Sequence, residues 1–172
     1  KFFSIIFIIA TVLFLPVILW FIKPAFELNV AIIDKTVPNI EYREHEGLVW
    51  VLNNEKFINP VSQKPYSYEK DYYGFFPEKN GNFTTINYNS SNVKPDLVYI
   101  TDTYGVYDSD FRKTNKTGER SELLYGGIDS NEIEAMRKSI YQGSTVIAEF
   151  NTFATPTNID ARRELYDLLG IK

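Results

Sequence analysis

The residues best placed to do chemistry are acids and hydroxyls that follow short apolar runs. Asp34 and Thr36 follow Leu28 to Ile33, Asp102 and Thr103 follow Leu97 to Thr101, and Glu149, Asn151 and Thr152 follow Thr145 to Ala148. Buried parallel strands read as such runs, and open α/β sheets hold ligands in the crevice outside their strands' carboxyl ends. Asp34, Asp102, Thr103, Glu149, Asn151 and Thr152 are therefore the candidate ligand-binding residues, and the acids are expected to share one polar crevice. Carboxylates there would accept hydrogen bonds from a small polar or sugar ligand. As a pair flanking a glycosidic bond they would instead serve as acid and base. No residue type in this set identifies itself as catalytic. Strand side chains alternate, so Glu149 and Asn151 should share a direction. An unpaired buried carboxylate is costly, so Glu149 should face water or meet a donor such as Lys35, Thr103 or Tyr104.

Other chemistries are excluded or disfavoured. The chain has no cysteine, which rules out a thiol nucleophile and a cysteine zinc site within it. His45, the one histidine, lies on a helical face with Tyr42, Leu48, Val49 and Leu52 and reads as an ordinary packed or surface residue. Asp108, Asp110 and Glu119 have calcium-loop spacing, but Arg112 and Lys116 fall where ligands belong and Lys113 replaces the required glycine. Neither a metal nor a cofactor is expected. A net charge of −4 with scattered basic residues argues against a nucleic-acid partner. Asn82, Asn89 and Asn115 match the glycosylation pattern, as chance matches in an asparagine-rich chain.

The elements that must position these residues begin with Phe2 to Ile22, an apolar run without charge bounded by Lys1 and Lys23. As a helix it would cover about 30 Å, the thickness of a bilayer's hydrocarbon core. It lacks a small-x-small cleavage pattern, so a retained anchor over residues 1–23 is preferred to a signal peptide. The folded domain, residues 27–172, is expected outside the cytoplasm on a single-pass cell-membrane anchor and is expected to break off at its C-terminus. Leu28 to Ile33, Pro95 to Thr101 and Thr145 to Phe150 are the expected buried strands. Helices are expected over Glu41 to Asn54, after a capping box of Asp129 with Glu132, and from Thr155-Pro156-Thr157 to Gly170. Asn80-Gly81 predicts a hairpin turn, and the aromatics of residues 66–76 should cover one sheet edge. Gly118 and its basic neighbours predict a mobile polar loop.

Over residues 97–172 a strand ending in an acid, the Gly126-Gly127 turn, a capped helix, the strand TVIAEF and the helix ARRELYDLLG follow in order. This succession resembles the central half of the class I glutamine amidotransferase-like fold, including its trehalose-utilisation-type and membrane-linked relatives. The resemblance implies a flavodoxin-like doubly wound parallel sheet, here preceded by one N-terminal transmembrane helix. It also implies a nucleophile elbow after TVIAEF, where the family's cysteine would fall near Phe150 or Asn151. The sequence there is Glu149-Phe150-Asn151-Thr152, and an amide is not a nucleophile. The family's histidine and acid partners would lie past Lys172. The expectation is thus a membrane-anchored, non-enzymatic domain binding a small polar or sugar ligand, or a membrane-protein partner, at its strand ends. The alternatives are a carboxylate-dependent hydrolase acting on a cell-surface glycan and a structural component of a membrane complex.

Overall fold

The computed structural model describes residues 2–89, 94–114, 118 and 121–171. In chain order the helices are α1 (Phe2–Ile22), α2 (Arg43–Asn54), α3 (Asp108–Phe111), α4 (Ser130–Tyr141) and α5 (Ile159–Leu169). The strands are β1 (Phe26–Glu27), β2 (Val30–Asp34), β3 (Phe57–Asn59), β4 (Lys64–Pro65), β5 (Tyr73–Pro77), β6 (Phe83–Ile86), β7 (Leu97–Asp102), β8 (Val106–Tyr107), β9 (Leu123–Tyr125) and β10 (Thr145–Ala148). The fold is mixed α/β.

Helix α1 is long and apolar enough to cross a membrane, a test that a signal sequence also passes. None of its side chains is buried against the domain, and Pro16 lies within it, a residue that membrane-spanning helices tolerate.

The main sheet has the order β10-β7-β2-β5-β6, with every pairing parallel except the β5–β6 hairpin. All of β2 is buried, which is why it reads as a continuous apolar run. Its alternation divides the core into two. Val30 and Ile32 pack with Val49 and Leu52 of α2, while Ala31 and Ile33 pack with Ile133 and Met136 of α4 and Ala161 and Leu165 of α5. Each large side chain so buried contributes about 1.5–3 kcal/mol.

The local signals read correctly. Asp129 and Glu132 form a reciprocal capping box at the start of α4, and Gly170 ends α5 in the left-handed region at φ +67°. The β5–β6 turn spans Glu78 to Asn82, and of the Asn80-Gly81 pair only Gly81 takes a positive φ, at +79°. The aromatics stack on one another, as in Tyr72 on Phe76 at 4.2 Å and Phe75 on Phe83 at 4.5 Å.

Two expectations need correction. β10 is an edge strand rather than a buried central one, with Thr145 exposed and Ile147 at 43% exposure. Both α4 and α5 pack on the other face of the sheet, where they take Val146 and Ala148; α2 covers β2 and leaves the outward side of β10 to solvent. Helix α5 begins at Ile159, not at Thr155 to Thr157, because the Asn158 side chain accepts the Ala161 N–H at 2.8 Å and fixes the start. The predicted mobile loop around Gly118 and the glycosylation pattern at Asn115 fall largely outside the described residues.

Candidate functional site

In sequence the main-sheet strands run β2, β5, β6, β7, β10, so the chain winds to one side of β2 and then returns to its other side. The reversal lies between β2 and β7, the position at which open α/β sheets hold ligands beyond the strand ends. A register shift after Ile33 makes Asp34 the partner of Asp102 across that boundary.

Asp34 is completely buried. Its Oδ2 lies 2.6 Å from Nδ1 of His45, and its Oδ1 accepts the Thr36 N–H at 2.9 Å. The other ring nitrogen, Nε2, lies 2.8 Å from the Tyr68 carbonyl oxygen. A carbonyl only accepts, so Nε2 carries a hydrogen and donates it. One further proton is then held between Nδ1 and the carboxyl. Burial raises the Asp34 pKa against the opposing pull of His45, and the charge of Asp102 adds to the rise. With both nitrogens engaged, His45 positions Asp34 and has no free nitrogen to act as a base. Its ring sits 4.6 Å from that of Tyr72.

Asp102 is also buried and is held by three donors. Its Oδ1 accepts the Thr36 hydroxyl at 3.0 Å and the Tyr104 N–H at 2.6 Å, and its Oδ2 accepts the Asn151 amide at 2.8 Å. Thr36 Oγ1 in turn accepts the Gly105 N–H at 3.0 Å. Gly105 adopts φ +92°, and a Cβ there would sit 2.5 Å from the Tyr125 carbonyl oxygen. Only glycine fits this turn, which closes the loop over Asp102.

Glu149 and Asn151 do not share a direction. The strand stops at Ala148 and Phe150–Phe153 forms a 3-10 turn, so the alternation assumed for these residues is lost. Asn151 turns back to Asp102, while Glu149 is exposed and accepts the Tyr99 hydroxyl at 3.1 Å. Thr103 donates to the Asn151 carbonyl oxygen at 3.2 Å instead of reaching Glu149. Thr152 does not face the crevice: it is buried, its carbonyl accepts the Thr157 hydroxyl at 3.1 Å, and its own hydroxyl has no partner among the described residues.

Lys35 is turned away from the acids as well. Its ammonium is buried 2.5 Å from Glu132 Oε2 and lies 4.9 Å over the Tyr125 ring. Glu132 also accepts the N–H groups of Asp129 and Tyr88, at 3.2 and 3.3 Å. Burial raises the Glu132 pKa, with Lys35 opposing.

Sequence reasoning missed Glu44. Partial burial raises its pKa, and the nearby charges of Asp102, Asp34 and Glu149 raise it further against Arg43. Glu44 thus senses the acids of all three strand ends. It lines a small cleft of about 110 Å³ with Thr36, Val37, Pro38, Asn39, Tyr42 and Arg43. A larger cleft of about 370 Å³ opens on the α4 and α5 side, beside Lys35 and Gly126-Gly127. Another, of about 310 Å³, lies at the opposite end of the sheet beside Asn29 and Pro95. Among the described residues no group of three or more histidine, cysteine or acidic side chains is arranged to hold a metal ion.

Fold and site together define a mixed α/β domain, with a mostly parallel sheet and a hydrogen-bonded acid cluster at its point of reversal, behind an apolar helix. No protein-family model, curated protein or solved structure matches the chain.

Proposed function

We propose that this protein is a membrane-anchored binding domain whose crevice between β2 and β7 takes a small ligand rich in hydrogen-bond donors, such as a sugar. In this reading the sheet is of the flavodoxin-like, doubly wound kind, with the amidotransferase-like order of elements and without that family's chemistry. The domain then lies outside the cytoplasm, on a single-pass anchor formed by α1.

The observation that carries the reading is the state of the acids. Asp34 and Asp102 are buried and each is engaged on both oxygens by partners from its own chain, which fixes their geometry. Glu44 and Glu149 stand at the rim with solvent access, where carboxylates accept hydrogen bonds from hydroxyl or amino groups. In this division of labour the buried acids hold the crevice in shape, and the rim carboxylates are left to accept hydrogen bonds from a ligand.

A second reading, a protein partner, is favoured by the uncovered outer side of β10 and by Phe150, at 82% exposure next to Glu149.

Amide NMR titration with monosaccharides and short glycans tests the proposal. Binding should move the Tyr104 and Gly105 signals, because those N–H groups report on Asp102 and Thr36, and Glu44→Gln with Glu149→Gln should abolish the shifts. Silence of these signals across the panel would remove the sugar reading, and shifts confined to β10 and Phe150 would favour the protein partner.

A further inference from the structure

The end of α1 is clamped to the domain. The Trp20 indole N–H donates to the Asn54 carbonyl at 2.6 Å, and the Lys56 ammonium donates to the carbonyls of Phe21 and Lys23 at 3.0 and 2.9 Å. Lys56 also lies 4.6 Å over the Trp20 ring, and Lys23 pairs with Glu55. A cation on the last carbonyls of a helix complements the negative end of its dipole. Beyond the clamp, β1 runs parallel to β3, which fastens the first residues after α1 to the segment that follows α2.

These contacts set a depth. An apolar helix of 21 residues covers about 30 Å and fills the hydrocarbon core. Trp20, in its last turn, then lies at the boundary where tryptophans favour the headgroups. Asn54 shares that level because its carbonyl oxygen is bonded to the indole. Trp50 lies one turn back along α2, about 6 Å of helix rise away, and the headgroup layer on each side of the core is about 5–7 Å thick. That rise is comparable to the thickness of the layer, so the last turn of α2 lies in it or at its edge. There Trp50 is 66% exposed and Val51 48% exposed, on a helix end whose opposite side, Val49 and Leu52, is already committed to the core.

From this geometry we infer that the last turn of α2, with Trp50 and Val51 outermost, is a second membrane contact seated in the lipid headgroup layer. It rests on the reading of α1 as a membrane span. Continuity with α1 selects the lipid surface as the occupant, since the turn is fixed at the depth where the helix emerges. Two attachment points, a spanning helix and an interfacial turn, restrict tilting of the domain.

The chain holds two tryptophans, so the full protein labelled with 5-fluorotryptophan gives one fluorine signal for each contact, assigned by Trp50→Phe. In phosphatidylcholine nanodiscs, a lipid carrying a headgroup nitroxide should remove most of the intensity of both signals. A water-soluble gadolinium chelate should leave Trp50 largely unaffected. Loss of Trp20 alone to the lipid nitroxide, with Trp50 lost to the chelate, would overturn the second contact and leave the anchor standing. Loss of neither to the lipid would overturn the anchor as well. A Trp50 signal shielded from both agents would mean that protein, not lipid, covers it.

Discussion

Asp34 and Lys35 are neighbours at the end of one strand, yet they send buried ionisable groups to opposite faces of the sheet. Asp34 meets His45 on the α2 side, and Lys35 meets Glu132 on the α4 side. The pairs differ in what they hold in place. The His45 pair shares a proton beside the Tyr72 ring and holds the end of β2 to α2. The Lys35 pair ties β2 to the capping box of α4, so a single carboxylate closes a helix end and a strand end together. Burial raises the pKa of both carboxyls, so the difference lies in the partner: breaking a buried Lys–Glu ion pair costs more than leaving one buried polar group without its hydrogen bond. The Asp34 side should therefore tolerate loss of its partner better than the Glu132 side.

The largest effect should come from breaking the Lys35 pair. Lys35→Met leaves Glu132 buried without its cation and should cost about 3–5 kcal/mol, read as a lowered urea midpoint. Adding Glu132→Gln to that variant should recover part of the loss. A Lys35→Met protein as stable as the parent would mean that the capping box alone satisfies Glu132.

His45→Phe should cost less, about 1–3 kcal/mol, the range for leaving one buried polar group unsatisfied. It also carries a pH signature through Asp34, whose pKa in the folded state is raised above 3.8. Below 3.8 the carboxyl is protonated in both folded and unfolded chains, and the favourable contribution of the neutral form is fully present. As pH rises the unfolded chain loses its proton first, so that contribution is lost by the time pH passes the raised folded value. Because His45 opposes that rise, His45→Phe raises the folded value further, and its penalty should grow as pH climbs above 3.8, checked by urea melts from acid pH upward. A penalty independent of pH would show that Asp34 stays ionised without its partner.

The same comparison separates what local sequence carries from what it does not. The capping box, the Gly81 turn and the runs that became β2 and β7 are signals of a few adjacent residues, and each is present where expected. The Lys35–Glu132 pair joins residues 97 apart, and no local pattern announces such a partner. His45 did leave a trace: it falls on the same helical stripe as Val49 and Leu52, both buried, and a polar group on a core stripe must have a partner. Reading that stripe for its polar member points to a buried acceptor, with Asp34 at the end of the strand beneath. The edge position of β10 was hidden because burial depends on which face each helix takes, which is a tertiary outcome. The directions of Glu149 and Asn151 were hidden by the 3-10 turn at Phe150; nothing in Glu-Phe-Asn-Thr distinguishes that turn from one more residue of strand.

The smallest effect on stability, and the sharpest on the crevice, is expected at Glu44. It is exposed, so Glu44→Gln should leave the urea midpoint within about 0.5 kcal/mol of the parent. Its role lies in charge. Partial burial and the acids of the three strand ends hold its pKa above the usual glutamate value of 4.5, so it becomes neutral on acidification before an ordinary glutamate would. A donor-rich ligand at the rim gains from the charged form, because charge-assisted hydrogen bonds are roughly twice as strong as neutral ones. Affinity should therefore be full near neutral pH and should fall as pH drops through the raised value. In Glu44→Gln the affinity near neutral pH should already be reduced, and this early fall should disappear. Calorimetric titration of the parent and the variant from neutral to mildly acidic pH reads both effects. Parallel pH profiles with equal affinities would place the ligand away from Glu44, on the wider cleft beside Lys35, and would uncouple binding from the Asp34 side of the sheet.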